Sequence, residues 1–428
     1  MRLFIPRIMP YLICGLAALF YVYDYFIQVS PAVITDQLMA TFHVGAAGLS
    51  FLGACFFYAY ASMQIPAGLL LDRFGPRKLL SCAILISGIG VILFSRTDSY
   101  ALAGFARFLI GFGSSFAFIS TLFLASRWFE HRHFAFIAGL VQMAGCLGSM
   151  VGEAPLAHLI NLYGWRETLF VTGWITLLLA ILYVLIIRDQ PGQLRVKSKK
   201  GGIALELGRL RHVLKLPQVW WSAWCGFFSW VPVATLGALW GVPYLVKVYG
   251  WSSIKAAGFC SLFWIALAVS SPLVGWFSDS IKSRNRPIRF CFISGIIGGI
   301  LLFCAPFIPY WITAMALILL GICAAVQSLT FGVIKDFLPS SVFGTASGFL
   351  NMMAIAAGGI SQQLVGLVLA LTWGHQHNWQ GVPIYSVQSY QLAILLLPLA
   401  ALVGWWISAY KLKETNCVPI LEAVEQGA

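Results

Sequence analysis

Charged residues are scarce in this chain: Asp, Glu, Lys and Arg make up 10% of its 428 residues. Soluble domains carry about 25% charged residues, so the composition excludes a soluble enzyme. The sequence also lacks a CxxC pair, a Cys/His cluster, and any Ser/His/Asp or nucleotide-binding constellation. We therefore expect no disulfide framework, no metal site, no cofactor and no enzymatic activity.

Apolar segments long enough to cross a membrane recur from one end of the chain to the other. Hydrophobic residues make up 60% of the sequence, and a spanning helix needs about 20 apolar residues in a row. The pattern predicts an all-α membrane protein with twelve transmembrane helices. We place these helices near 11–33, 47–71, 78–95, 100–125, 134–159, 167–187, 218–246, 254–277, 288–306, 310–334, 343–372 and 388–410.

The formal net charge of +13 comes from basic residues that collect on one side of the predicted spans. If the spans alternate in direction, 22 of the 27 Lys and Arg residues fall on that side. This asymmetry is typical of the cytoplasmic side of a membrane protein. It predicts a membrane protein with both termini in the cytoplasm, and it argues against nucleic acid as a partner.

A charged turn between the second and third predicted spans has a degenerate copy 207 residues later. The first reads GLLLDRFGPRK from residue 68, and the second reads GWFSDSIKSR from residue 275. Their charges cannot lie in hydrocarbon, so both turns are predicted at a membrane face. The repeat predicts an N-terminal six-helix half at 1–187, a basic cytoplasmic linker at 188–217, and a C-terminal half with a short tail at 218–428.

The turn at 68–78 resembles the signature of the major facilitator superfamily, G-x-L-a-D-r-x-G-r-r. RFLIGFG from Arg107 resembles that family's R-x-x-x-G-x-G motif, and GWR from Gly164 resembles its G-W-R before the sixth helix. Shorter segments, 23–31 and 63–68, resemble the phagosomal nutrient transporters of intracellular bacteria, which import amino acids or nucleosides. This resemblance implies a location in a bacterial inner membrane. The resemblance implies transport by alternating access and a conformational latch at the charged turns. The implied latch residues are Gly68, Asp72, Arg73, Gly75 and Arg77, with Asp279 and Arg284 in the second half.

Three charged residues fall deep within the predicted spans: Asp24, Arg107 and Glu153. At about 1.5 Å per residue, all three lie in one layer of the membrane. Unpaired charges there are costly, so we predict a cluster with Arg107 between the two acids. One Arg neutralises one carboxylate and leaves the other to titrate, which is the chemistry of a proton-coupled carrier. The alternative is a static pair of Arg107 and Glu153 that holds two helices together.

The first span presents a polar and aromatic face, because Tyr21, Asp24 and Gln28 recur at helical spacing beside Tyr25. Such a face is typical of a cavity lining, where Asp24 could bind a substrate ammonium or carry the proton. Further candidates for the lining lie within other spans, with interhelical hydrogen bonds or packing as the alternative. They are Gln64, Gln142, Gln327, Asn351, Trp240 and Tyr244.

Together these features predict a proton-coupled importer of a small polar metabolite, with an amino acid favoured and a nucleoside next. A proton-driven exporter of amphipathic compounds is the alternative. The expected partners are a small-molecule substrate and the lipid bilayer, and the expected functional unit is a monomer.

Overall fold

The computed structural model describes residues 9–129, 134–189, 208, 210, 211, 213–338, 340–378 and 381–417. Within that part of the chain, the N-terminal half consists of nine helices and a 3₁₀ turn, Ser30–Val33. The helices are α1 (Met9–Val29), α2 (Thr35–Phe42), α3 (Ala46–Phe74), α4 (Pro76–Arg96), α5 (Tyr100–Ser114), α6 (Ala117–Trp128), α7 (Phe134–Val151), α8 (Ala154–Tyr163) and α9 (Trp165–Ile186).

The C-terminal half repeats this organisation with a second set of long helices. These are α10 (Pro217–Pro232), α11 (Gly241–Tyr249), α12 (Ser253–Ser280), α13 (Asn285–Phe303), α14 (Tyr310–Ala324), α15 (Val326–Phe337), α16 (Ser340–Leu371), α17 (Val387–Ile394) and α18 (Leu396–Tyr410). A π-helical segment, Val233–Trp240, joins α10 to α11.

The all-α fold predicted from the sequence is confirmed, with helix in each of the twelve predicted segments. Eleven stretches of the described chain are helices long and apolar enough to cross a membrane. The remaining segment, fifth along the chain, consists of α7 and α8, which meet at Gly152 and Glu153. The basic linker predicted at 188–217 lies mostly outside the described residues, so the domain boundaries stay a prediction.

Breaks within spans recur at equivalent places in the two halves. The fourth span divides between Ser114 and Ala117, and the tenth divides at Ala325. Interrupted helices near the middle of a membrane are common around transporter binding sites, because they free backbone polar groups for other contacts. The repeat predicted from the charged turns therefore extends to the backbone of the spans.

The charged turn after α3 takes the conformation that its sequence demands. Gly75 ends the helix with a φ of 79°, which glycine adopts without a steric cost, and Pro76 begins α4.

At Gly148 on α7, the missing side chain permits close helix packing, because a Cβ atom there would lie 2.1 Å from the carbonyl oxygen of Val22. Helix α7 can therefore pack closely against α1.

The two halves meet along several pairs of elements. Helix α3 packs along α16, α7 and α8 pack against α12, and the 3₁₀ turn Ser30–Val33 packs against the π-helical segment. We call the side that carries the turn at 73–78, the turn at 281–284 and the tail at 411–417 the basic face. The opposite face carries the first residues of α3, α5, α9, α12 and α17.

Candidate transport site

The carboxylate of Asp24 is fully buried in α1. The hydroxyls of Tyr60 on α3 and Ser114 on α5 lie near it. Even so, neither oxygen of Asp24 has a partner with hydrogen-bond geometry among the described residues. A buried polar group without a partner is costly, so such groups concentrate at functional sites. Asp24 therefore remains the leading candidate for a contact with substrate or proton.

Arg107 approaches the same region from α5 and is 2% exposed. Its Nη1 donates a hydrogen bond of 3.3 Å to the carbonyl oxygen of Ile27, one helical turn beyond Asp24. Its guanidinium carbon lies 5.1 Å from the ring centroid of Phe56, a cation–π contact. The Nε donor has no partner in the described structure. A guanidinium that is always charged is thus held near Asp24 without forming an ion pair with it.

Next to Asp24, α1 and α7 present a small network of hydroxyl and amide groups. The hydroxyls of Tyr21 and Tyr25 lie 3.2 Å apart, and Tyr21 lies 3.2 Å from Oε1 of Gln142. The Nε2 of Gln142 donates to the Tyr25 hydroxyl at 3.3 Å. The structure therefore brings together the polar face of the first span and the glutamine of the fifth. Gln28, on the same face of α1, is buried and its Nε2 has no partner among the described residues.

Glu153 contacts the C-terminal half instead of Arg107. Its Oε1 accepts a hydrogen bond of 2.9 Å from Nε1 of Trp264, and its Oε2 lies 2.9 Å from the hydroxyl of Ser261. Both partners belong to α12. No ion pair within the described residues joins Arg107 to either acid, so the predicted cluster and the alternative static pair are both absent from this structure.

The direction of Glu153 follows from the residue before it. Gly152 faces α1, because a Cβ atom there would lie 2.7 Å from the carbonyl oxygen of Phe26. Helix α7 ends at Val151, and Glu153 has non-helical backbone angles, a φ of −102° and a ψ of −101°. With Gly152 packed against α1, the carboxyl group of Glu153 points to α12, where its two partners lie.

Other polar residues predicted for the cavity lie at the contact between the halves. The Nδ2 of Asn351 on α16 donates to Oε1 of Gln64 on α3 at 2.6 Å. Nearer the opposite face, Nε1 of Trp240 donates to the hydroxyl of Ser50 at 3.2 Å. These two hydrogen bonds join the N-terminal half to the C-terminal half, so each would break if the halves separated there.

Two further candidates lie inside the C-terminal half. The hydroxyl of Tyr244 donates to the carbonyl oxygen of Leu302 at 2.5 Å, and the tyrosine is 0% exposed. Gln327, beside Gly226, is buried with no partner for either amide atom in the described part of the chain. The contact of Tyr244 is the kind that holds helices together, whereas Gln327 keeps unused hydrogen-bonding capacity.

At the basic face, the charged turn is hydrogen-bonded to the end of α9. Both Nε and Nη2 of Arg77 donate to the carbonyl oxygen of Val184, at 3.1 and 2.6 Å. The carboxylate of Asp189 accepts from the backbone amide of Arg77 at 2.8 Å, which caps α4. Arg73 lies against the ring of Phe74. The side chain of Asp72, a predicted latch residue, lies outside the described residues. A role of Gly68 in that latch stays a prediction.

The equivalent turn of the second half is held by an ionic network. Arg284 contacts Asp279 at 2.7 Å and Asp336 at 3.0 Å. Glu414, from the segment after α18, accepts hydrogen bonds from the Ser283 hydroxyl at 2.6 Å and from the backbone amides of Arg284 and Asn285 at 2.8 and 3.0 Å. It caps α13 as Asp189 caps α4.

The environment of Glu414 favours its charged form. Burial raises the pKa of this carboxyl, but the hydrogen bonds from Ser283 and from the amides of Arg284, Asn285 and Asn416 outweigh burial. The net effect is a pKa below the ordinary value of a glutamate.

The sequence description of the Major Facilitator Superfamily matches residues 14–362, which is most of the chain. The chain belongs to the Major Facilitator Superfamily. It is therefore an integral multi-pass membrane protein of a transporter family. The probable sulfoacetate transporter of Cupriavidus necator is 25% identical over 390 residues, covering 85% of this chain and 88% of the relative. A probable hexose phosphate transport protein of Chlamydia pneumoniae is 22% identical and covers 88% of each chain.

Solved structures agree on the fold of this family member. A bacterial homologue of the human lysosomal transporter Spinster, in an inward-facing and occupied conformation, superposes with a TM-score of 0.75 at 14% identity. That match covers 94% of this chain and 97% of the other. A nucleoside transporter superposes with a TM-score of 0.74 at 11% identity, covering 93% and 99%. Identities this low establish the fold alone.

Sequence reasoning missed several residues that the structure brings to these sites. Ser261 and Trp264 bind Glu153, and Tyr60 and Ser114 lie near Asp24. Each is a neutral residue inside an apolar run, and it lies far along the chain from the acid that it contacts. The available signal was weak: a single hydroxyl or indole at helical spacing is far more often a packing residue.

Proposed function

We propose that this protein imports a small polar metabolite together with a proton, by alternating access, and that the metabolite is an amino acid. Membership of the transporter family supports the transport part of this proposal. The charges buried in α1 and α5 support the choice of substrate, and the buried acids Asp24 and Glu153 support a proton as the coupling ion. The exporter of amphipathic compounds is disfavoured because the buried site carries formal charge of both signs.

The observation that carries the proposal is the pair of unused groups on Asp24 and Arg107. Both side chains are buried and opposite in formal charge, and Arg107 binds the carbonyl of Ile27, which lies about one helical turn along α1 from Asp24. Yet the oxygens of Asp24 and the Nε of Arg107 lack partners among the described residues. An α-amino acid carries an ammonium and a carboxylate on one carbon. Its ammonium would bind Asp24, and its carboxylate would bind Arg107.

The hydroxyl and amide groups nearby would complete such a site. Tyr21, Tyr25 and Gln142 form one wall, with rings that can contact an apolar substrate side chain. Tyr25 also packs against Trp264 of the other half, with ring centroids 5.9 Å apart. A substrate bound between Asp24 and this wall would therefore contact Tyr25, whose ring packs against Trp264 of α12.

An organic anion is the second candidate, and the relatives favour it. The printed names of two relatives refer to sulfoacetate and hexose phosphate, and a third is a probable galactarate/D-glucarate transporter of Escherichia coli. In this case Arg107 would hold the anionic group and Asp24 would take up a proton. A nucleoside has no charge to match either side chain.

Thermal-shift measurements on purified protein can separate these substrates. We expect an amino acid to raise the melting temperature more than the matching amine, which lacks the carboxylate, or the matching carboxylic acid, which lacks the ammonium. Stabilisation by sulfonates or sugar acids, with none by amino acids, would favour the organic anion. If only nucleosides or amphipathic drugs stabilise the protein, the assignment of Asp24 and Arg107 to a zwitterion is wrong.

A further inference from the structure

Among the described residues, Glu153 is the buried acid of the N-terminal half that residues of the C-terminal half bind. It occupies the junction between α7 and α8 and is 0% exposed. Ser261 and Trp264 lie three residues apart on α12, so they present their polar atoms from one helical face. The two oxygens of the carboxyl group are divided between them, with one contact of 2.9 Å to each.

The hydrogen-bonding capacity of this site suits both proton states of Glu153. The Ser261 hydroxyl lies 2.9 Å from Oε2 of Glu153 and 3.1 Å from the carbonyl oxygen of Ala257, but it has one proton to donate. When Glu153 is ionised, Ser261 donates to Oε2. When Glu153 is protonated, its O–H donates to Ser261, whose own proton turns to Ala257. The indole N–H of Trp264 donates to Oε1 in either state.

The groups around Glu153 do not hold it permanently charged. No ion pair to Glu153 occurs in the described structure, and its two hydrogen-bond partners are neutral. On α12, the Cys260 thiol is a titratable group that interacts electrostatically with Glu153. On α1, the Tyr25 ring lies against Trp264. Asp24 and Arg107 belong to the adjacent site, and neither forms an ion pair or hydrogen bond with Glu153 in the described part of the chain. A carboxylate without a counter-ion between two packed halves is costly, and a proton removes that cost.

We infer that Glu153 takes up the coupling proton, and that Ser261 and Trp264 are positioning residues that link its proton state to the contact between the two halves. Protonation forms an O–H bond at Oε2 of Glu153 with a proton from water on one side of the membrane. Release to water on the other side breaks that bond. This inference rests on the proposed proton-coupled transport, and it leaves Asp24 free to bind the substrate ammonium.

The link to substrate runs through one aromatic contact. Trp264 binds Glu153 through its indole nitrogen and packs against Tyr25 through its ring. Tyr25 in turn belongs to the wall of hydroxyl and amide groups beside Asp24. Proton uptake that lets α8 and α12 approach would therefore also bring Trp264 against Tyr25, which completes the substrate site.

Infrared difference spectroscopy during a change of pH tests this inference on the full-length protein in liposomes, without a substrate. We expect a titrating carboxyl band in the wild type that disappears in Glu153→Gln. In Trp264→Phe the band should persist at higher frequency, because the C=O group loses a donor. In Ser261→Ala the pH midpoint of the same band should shift. Glu167→Gln is the matched control, since Glu167 lies exposed beside Arg96, and it should leave the buried band unchanged.

The outcomes are distinct. A band that survives in Glu153→Gln and disappears in Asp24→Asn would overturn the inference and assign the proton to Asp24. A wild type without any titrating carboxyl band would also overturn it. If Glu153→Gln fails to fold, the shift in Trp264→Phe still decides the question, because that variant keeps the carboxyl group. Failure of the proposed proton-coupled transport would be a separate result: uptake would be independent of the proton gradient while this carboxyl band still titrates with pH.

Discussion

The hydroxyl of Tyr385 accepts a hydrogen bond of 2.7 Å from the backbone amide of Ala46, and this bond ties the two halves together at the opposite face. Ala46 is the first residue of α3, and the amide groups in the first turn of a helix have no partner within that helix. Tyr385 precedes α17 in the other half, 339 residues away. The approach is close, since a Cβ atom at Gly45 would lie 2.9 Å from the tyrosine hydroxyl. The contact can form only while the halves are closed on this side.

Replacement of Tyr385 by Phe should therefore favour conformations that are open at the opposite face. One neutral hydrogen bond contributes about 0.5–1.5 kcal/mol, so the ratio of conformations should change by about two- to tenfold. Hydrogen–deuterium exchange should report this as faster exchange of the amides in the first turn of α3.

Tyr390→Phe is the matched control for that experiment. Tyr390 is buried close by, with its ring 6.3 Å from that of Tyr385, and its hydroxyl makes no hydrogen bond within the described chain. Equal exchange in both variants would show that the Tyr385 hydroxyl does not hold the halves together.

Asp24→Asn should abolish transport without lowering thermal stability. The native carboxyl group is buried and has no partner among the described residues, so its removal breaks no hydrogen bond. An ion-paired or hydrogen-bonded acid would behave differently, because its loss strands the partner and costs several kcal/mol. Melting temperatures of the two proteins in the same detergent provide the measurement. A drop of several degrees in Asp24→Asn would indicate a structural role.

The sequence was informative about Asp24 and much less so about Glu153. Hydropathy located each span, because a run of about 20 apolar residues is typical of a helix that crosses a membrane and of few other structures. Helical spacing placed Tyr21, Asp24 and Gln28 on one face, since a single helix fixes those relations. The network of Tyr21, Tyr25 and Gln142 then required only that α7 pack against α1.

The partner of Glu153 depends on how two separate halves meet, which no local pattern encodes. Depth in the membrane put Arg107 and Glu153 in one layer, and charge favoured their pairing. Depth does not specify the direction of a side chain around its helix axis, however. The break at Gly152 turns Glu153 toward α12, where neutral donors bind it. The cap by Glu414 was missed for a similar reason, because it comes from a tail that follows the last span.

Glu414→Gln should weaken the basic face of the C-terminal half in a way that depends on pH. The folded-state pKa of Glu414 lies below its unfolded value, so its contribution is fully present above the unfolded pKa. That contribution is lost as the pH falls through the folded-state pKa. At neutral pH we expect a loss of about 1 kcal/mol, typical of a helix cap, and faster amide exchange at the start of α13.

The pH series supplies the control for this prediction. At pH 4 and below, the wild type should approach the variant, because protonation of Glu414 removes the same charge. A difference between the two proteins that stays constant from pH 7 to pH 3 would rule out the carboxylate as the origin of the effect.

Uptake driven by an imposed proton gradient tests proton-coupled import most directly. Purified protein in liposomes would be given the amino acid that stabilises it most in the thermal-shift screen, with the interior buffered at neutral pH and the exterior acidified. We predict accumulation of that amino acid above its external concentration, collapse of the accumulation by a protonophore, and no accumulation in Asp24→Asn liposomes. Uptake that only equilibrates regardless of the gradient, or export of the preloaded compound against inward protons, would contradict proton-coupled import.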